Sequence, residues 1–229
     1  MGLTMSNEAF RAMTDIDPIH FQLDALQVGP ETDSPDELVG QFVPEDGQMD
    51  NFELEKHWAE STLVLSTILC NMPDFYPGMK ILDIGCSTGY TSACFAAMCP
   101  PDLPCQVIGL EKDPSRIAVG EHALKTEYAH MADKVTFRMQ DGAPGLPEEG
   151  PYGFIYSGAC VGTEFPAHWL KQLTNPGGVM IVAVDVQESN VPEAEGSQPH
   201  MLRRITRTSD TAYTEIDLVP TRYEMLEGL

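Results

Sequence analysis

The sequence predicts an α/β fold in which a doubly wound, mainly parallel sheet is completed by a C-terminal antiparallel hairpin. Three observations carry this expectation. From residue 79 onward, short apolar runs alternate with helical segments. Parallel strands covered by helices on both faces read as such continuous apolar runs. The first run, MKILDIG (79–85), passes into a glycine-bearing turn, CSTGY, that opens a helix. The final pair, Met201 to Thr208 and Tyr213 to Leu218, is separated by the turn residues SDTA, which is a hairpin pattern. The expected architecture is therefore Rossmann-like.

The elements follow in order. At 229 residues, the chain has room for one globular domain with a short N-terminal lobe. Residues 1–52 carry little periodic signal. A short helix is expected from Asn7 to Met13 with Ser6 as its N-cap, and GPETDSPDE (29–37) reads as a solvated loop. Between Phe52 and Asn71, Leu54, Trp58, Leu65, Ile68 and Leu69 recur at helical spacing, and Pro73 and Pro77-Gly78 end that helix. A helix over Thr91–Met98 and a strand over 105–112 come next, then a helix from Pro114 to Tyr128 and a strand over 134–141. A fourth strand lies in 150–158, a helix in Phe165–Leu173 and a fifth strand in 179–185.

Composition narrows the class. A hydrophobic share of 42% supports a packed core. The longest mostly apolar stretch, Leu63 to Met72, is interrupted by Ser66, Thr67 and Asn71 and is too short to span a bilayer. The first residues lack the basic start and apolar run of a signal peptide. Thirteen basic against 35 acidic side chains give a formal charge of −22. That field disfavours nucleic acid and anionic lipid as partners. Six cysteines stand at 70, 86, 94, 99, 105 and 160, without a CxxC pair or a zinc-like Cys/His cluster. They read as small hydrophobic thiols in a reducing, cytoplasmic setting, and no metal site is expected.

Chemistry is concentrated at the expected strand ends. The segment Asp83-Ile84-Gly85-Cys86-Ser87-Thr88-Gly89-Tyr90 combines a tight turn, which lets a ligand approach the backbone, with a helix N-terminus offering free N–H groups. Alone, it could simply close a strand–helix corner. Glu111 ends the second strand, where a carboxylate can accept from two ribose hydroxyls. Asp141-Gly142 ends the third, where an Asp can accept from an adenine amino group, or merely form a turn. Three strand ends in this order point to an adenosine-bearing ligand. The spacing GxxxG, rather than GxGxxG, favours S-adenosyl-L-methionine (SAM) over a nicotinamide cofactor. Cys86 reads as a filler of the turn, and His57 and Trp58 read as structural before functional.

The segments DIGCSTGY, GLEKDP and QDG resemble motifs one to three of the class I SAM-dependent methyltransferases. More narrowly, FVPED (42–46), ILDIGCSTGYTSACFAAM (81–98), VIGLEKDP (107–114), VTFRMQDGAPGLPEEGPYGFIYSGA (135–159), LTNPGGVMIVAV (173–184), ITRTSD (205–210) and LVPTRYEML (218–226) are similar to the protein-L-isoaspartate O-methyltransferases. The resemblance implies a methyltransferase domain over 53–229, preceded by an N-terminal extension or lid over 1–52. It implies that Asp83, Gly85, Cys86, Ser87 and Gly89 line the methionine part of SAM. Glu111 and Lys112 would hold the ribose and adenine edge, and Asp141 with Gly142 the adenine amino group. The family's GxGQTIS-type loop is replaced here by KHWAESTL (56–63). Of that loop the resemblance carries over Ser61, as the catalytic serine beside the transferred methyl group. The implied function is SAM-dependent carboxyl O-methylation of aspartyl or isoaspartyl residues in a protein or peptide, giving an ester that can close to a succinimide. Two alternatives stand beside it. One is a specialised relative modifying one biosynthetic peptide or a small molecule; the other is a non-catalytic SAM-binding interaction module.

Overall fold

The computed structural model describes residues 6–21, 62–185 and 200–223, together with Met225, Leu226 and Gly228. Helix α1 (Asn7–Asp15) begins at Ser6, whose hydroxyl accepts from the Ala9 N–H at 3.1 Å. One of the unpaired first-turn donors is thereby satisfied, and the expected N-cap is the observed one. Residues 62–70 form helix α2. The earlier part of the helix expected over 52–71, and the 29–37 loop, lie outside the described residues.

From there strands and helices alternate. They are β1 (Met79–Ile84), α3 (Tyr90–Met98), β2 (Cys105–Glu111), α4 (Pro114–Thr126), β3 (Val135–Met139), β4 (Phe154–Cys160), α5 (Ala167–Leu170), β5 (Val179–Asp185), β6 (His200–Arg207) and β7 (Tyr213–Thr221). The seven strands form one sheet in the order β3-β2-β1-β4-β5-β6-β7. Strands β1 to β5 pair in parallel, while β6 and β7 run antiparallel as the expected hairpin. Strand order reverses between β1 and β4, and a ligand crevice opens at such a switch point beyond the strands' carboxyl ends.

Alternation along the strands divides the core in two. Met79, Ile81, Val107, Phe154, Tyr156, Val179 and Ile181 face a cluster shared with α1, α2, α3 and α4. Leu82, Ile84, Ile108, Leu110, Ile155, Met180, Val182 and Val184 face the other cluster, which is closed by Trp169 and Leu170 of α5. Burying both faces explains why each central strand is a continuous apolar run. A fully buried Leu or Ile contributes roughly 1.5–3 kcal/mol, so each four-residue stretch of β1 or β5 is a strong anchor. The N-terminal segment joins the first cluster. Ala9, Ala12, Ile16 and Phe21 are buried, Phe21 stacks on Tyr128 at 5.8 Å, and the Tyr128 hydroxyl accepts from the Asp17 N–H.

Three local expectations change. The fourth strand, expected within 150–158, runs two residues past that segment to Cys160, and Tyr152 pairs outside the ladder, in an isolated bridge to Leu173. The helix expected over 165–173 shrinks to Ala167–Leu170. Gln172 turns its amide to the loop after β3, accepting from the Leu146 N–H and donating to the Pro144 carbonyl, instead of prolonging the helix. The expectation of free thiols throughout is also corrected. Cys99 and Cys105 form a disulfide across the Pro100–Pro104 turn, which holds their Cα atoms 6.4 Å apart, within bridging range. Cys70, Cys86, Cys94 and Cys160 are free. Among the described residues, no helix is long and apolar enough to cross a membrane.

Candidate functional site

Asp83 is the penultimate residue of β1, on the face covered by α3. It is fully buried. Its Oδ2 accepts from the Ser92 hydroxyl of α3 at 2.6 Å. Its Oδ1 is buried and has no hydrogen-bond partner among the described residues. Burial raises the carboxyl pKa from 3.8 to about 7; the Ser92 hydrogen bond works against the rise, and the Glu111 charge adds to it. An orphaned acceptor of this kind, close to the crevice, is a place where a ligand cation can be received.

The chain leaves β1 through Gly85, whose φ of +71° reverses its direction, and Ser87 also adopts a positive φ of 51°. The turn is fastened to β2 from above. The Gly85 and Cys86 N–H groups donate to the Leu110 carbonyl at 2.9 and 3.0 Å, and the Ser87 N–H donates to Glu111 Oε2 at 3.0 Å. Gly89 closes the turn as the N-cap of α3, and a side chain there would strike the Phe137 ring of β3. Cys86 lies buried under the turn, its thiol pushed up first by burial and then by the Asp83 and Glu111 charges. It is a filler, not a nucleophile.

Glu111 stands at the tip of β2. Beyond the Ser87 bond, its Oε1 accepts from the Lys112 and Asp113 N–H groups at 2.8 and 3.0 Å. Three backbone donors therefore fix its position. Lys112 reaches Asp141 Oδ1 at 3.5 Å, linking the tips of β2 and β3. Asp141 Oδ1 also accepts from the Ala143 N–H at 3.0 Å, and Gly142 packs so closely on Ile84 of β1 that a side chain could not fit. Residues separated widely in sequence thus form one continuous rim, in which Asp83, Gly85, Cys86, Ser87 and Gly89 adjoin Glu111 and Lys112, and these adjoin Asp141 and Gly142. Ser61 lies outside the described residues, as do His57 and Trp58.

Several supporting residues escaped the sequence reading. Ser92, the partner of Asp83, was detectable as a polar residue in a largely apolar helix. His168 and Trp169 both bond the Ala143 carbonyl, at 2.8 and 3.0 Å, and together with Gln172 they set the loop carrying Asp141. Only tertiary contact reveals that role. Gly158 of β4 approaches the rim from the other side, and a Cβ there would lie 2.8 Å from the Gly85 carbonyl oxygen. Arg116 of α4 points its guanidinium at the Ser87 hydroxyl, 3.5 Å away.

Comparisons with known proteins bear on the family and the fold. The family model described as protein-L-isoaspartate(D-aspartate) O-methyltransferase (PCMT) matches residues 1–217. A protein-L-isoaspartate O-methyltransferase of Triticum aestivum is 35% identical over 111 residues, covering 47% of this chain and 46% of the relative. One from Hyperthermus butylicus is 34% identical over 116 residues, covering 48% of this chain and 46% of the relative. The chain thus spans about half the length of the curated relatives it matches. Among solved structures, a Plasmodium falciparum protein described as a beta-aspartate methyltransferase (PCMT), in complex with S-adenosyl-L-homocysteine, superposes with a TM-score of 0.64 at 16% identity, over 97% of this chain and 91% of that one. A protein-L-isoaspartate O-methyltransferase superposes with a TM-score of 0.65 at 21% identity, over 98% and 62%. At these identities the two structures show the shared fold.

Proposed function

The chain belongs to the protein-L-isoaspartate(D-aspartate) O-methyltransferase family, and from that premise we propose that it is a SAM-dependent carboxyl O-methyltransferase acting on isoaspartyl or aspartyl carboxylates of a protein or peptide. The observation that carries the reading is the rim itself, three successive strand tips whose donors and acceptors match the parts of SAM. The orphaned Asp83 Oδ1 suits the amino-acid ammonium. The turn at Gly85, with open space where a side chain would project, suits the methionine chain. Glu111 accepts from the ribose, with Lys112 at the same edge, and Asp141 beside Gly142 accepts from the adenine amino group.

When bound, SAM supplies an activated methyl group for transfer to a carboxylate oxygen. The residues of this chain have little proton chemistry to perform, because a carboxylate acceptor is ionised at neutral pH, with a reference pKa near 4. Their task is placement. Well-oriented pairs reach effective molarities of about 10⁵–10⁸ M, and Ser61, by hydrogen-bonding the acceptor carboxylate, would orient it for in-line attack. Gly158 lets the turn approach β4 closely, and Cys86 packs the same turn against Gly109 of β2. The ester formed can close to a succinimide through attack by the following backbone nitrogen.

The acidic surface disfavours nucleic acid and anionic lipid as partners. A cytoplasmic setting fits the four free cysteines, and the Cys99–Cys105 bridge pulls the other way. A narrower reading, a relative dedicated to one peptide, rests on KHWAESTL (56–63), which replaces the family's glycine-rich substrate loop. Incubation with an isoaspartyl peptide and methyl-labelled SAM tests the proposal, which expects base-labile label on the peptide. SAM binding without transfer to any isoaspartyl or aspartyl peptide would refute the acceptor assignment.

A further inference from the structure

The chain ends in a path that the catalytic reading does not use. Tyr156 neighbours Asp83 in the β1–β4 ladder on the same face, and its hydroxyl meets the Tyr223 hydroxyl at 2.8 Å. The Tyr223 backbone N–H donates to His200 Nδ1 at 3.1 Å. Beyond it, Met225 bridges Cys160 at the end of β4, and the Leu226 N–H donates to the Cys160 carbonyl at 2.8 Å. Leu226 packs into the second core cluster, whereas Tyr223 packs into the first. Gly228 then lies against the Asp141 carboxylate, with its side-chain position 3.2 Å from Asp141 Oδ2 and 3.5 Å from Ala143 Cβ. These described residues therefore cross the carboxyl edge of the sheet from one face to the other and bring Gly228 to the tip of β3.

We propose that Tyr223, Met225, Leu226 and Gly228 form a strap that covers the adenine end of the cofactor cleft and retains the bound nucleoside. The proposal rests on the reading that this cleft binds SAM. A carboxylate accepting from an adenine amino group gains most when water is excluded from it; the Asp141 side chain is 46% exposed beside Gly228, and a nucleoside seated between it and the strap would complete that exclusion. Its anchors lie on β4, β6 and the loop after β3, so its position depends on the folded sheet and not on local structure. The Tyr156–Tyr223 hydroxyl contact joins the strap to the residue beside Asp83, so both ends of the cleft feel it. Met225 is 55% exposed on the outer surface of the strap.

The test measures S-adenosyl-L-homocysteine affinity and release rate for the full chain and for four variants: Gly228→Ala, Gly228→Asp, Tyr223→Phe and Leu226→Ser. Gly228 has a φ of +90°, so any side chain strains it, and the alanine variant measures that strain together with the contact of its methyl group at Asp141. Gly228→Asp adds a negative charge facing Asp141 and is expected to weaken binding by about tenfold more than Gly228→Ala, mainly through faster release. Tyr223→Phe and Leu226→Ser loosen the two anchors and are expected to speed release without touching Asp141. Release rates within about twofold of the parent in all four variants, with unchanged melting temperatures, would overturn the strap. Tighter binding would overturn it too, by marking the segment as a competitor for the cleft. A parent chain that does not bind the nucleoside refutes the cofactor reading and the strap with it, whereas binding by the parent with indifferent variants sinks the strap alone.

Discussion

Burying Asp83 with no partner for Oδ1 among the described residues has a measurable cost, and Asp83→Asn reads it out. The variant keeps the shape and an oxygen to accept from Ser92, but removes the ionisable group. In the ligand-free protein the carboxyl pKa is raised from 3.8 to about 7, chiefly by burial. A difference of about 3 units at about 1.4 kcal/mol each gives roughly 4 kcal/mol. The sign follows from proton linkage. Below the unfolded value both states are protonated and burial of the neutral acid costs nothing in charge. As pH rises toward 7 the unfolded chain ionises first, so native stability is lost over that window and then levels off. Roughly 2 kcal/mol of the loss falls between about pH 5.5 and about pH 8. Urea unfolding of parent and Asp83→Asn at those two values gives two stability differences, and their own difference cancels any pH-independent cost of the amide. Asp83→Asn is expected to gain about 2 kcal/mol on the parent between the lower and the higher pH. An equal stability difference at both values would refute the assignment of Asp83 as an uncompensated buried acid.

The same group makes ligand binding depend on pH. A cofactor ammonium stabilises ionised Asp83, so calorimetric affinity for SAM is expected to rise as pH increases through about 7, and Asp83→Asn should flatten that slope. Saturating SAM at about 100 times its Kd should add about 2.7 kcal/mol of stability; a thermal shift assay reporting no gain would contradict the cofactor reading. Ser61→Ala is expected to lower kcat/KM by about tenfold or more with SAM affinity retained, and a change within about twofold would remove Ser61 from the reaction. Gly158→Ala forces a methyl group to 2.8 Å from the Gly85 carbonyl oxygen, which should cost roughly 1–3 kcal/mol of stability and weaken SAM binding together. Calorimetry and urea unfolding on the one variant check both effects.

The fold was legible because its information is local. Each central strand is a continuous apolar run, since both of its faces are buried, and the SDTA turn between the last two runs marks the hairpin. Asp83, Glu111 and Asp141 could be placed at successive strand ends by counting, and parallel strands bring successive carboxyl ends to one edge. Helix α5 was overextended because Gln172 gives its side chain to a loop far away in sequence, a choice that periodicity does not register. The Cys99–Cys105 bridge was missed because its formation depends on how the three prolines between them turn the chain.

The sequence alone determined the parallel sheet, the order of its elements and the three strand ends that form the rim. Alternation of burial and the turn-forming residues are written into neighbouring positions and need no distant partner. Tertiary structure alone decided the electrostatic state of Asp83, the bracing of the β3 loop by His168, Trp169 and Gln172, the approach of Gly158 to Gly85 and the path of the C-terminal segment across the sheet edge. Those features depend on the desolvation and packing that arise when segments far apart in the chain meet, and no run of neighbouring residues encodes them.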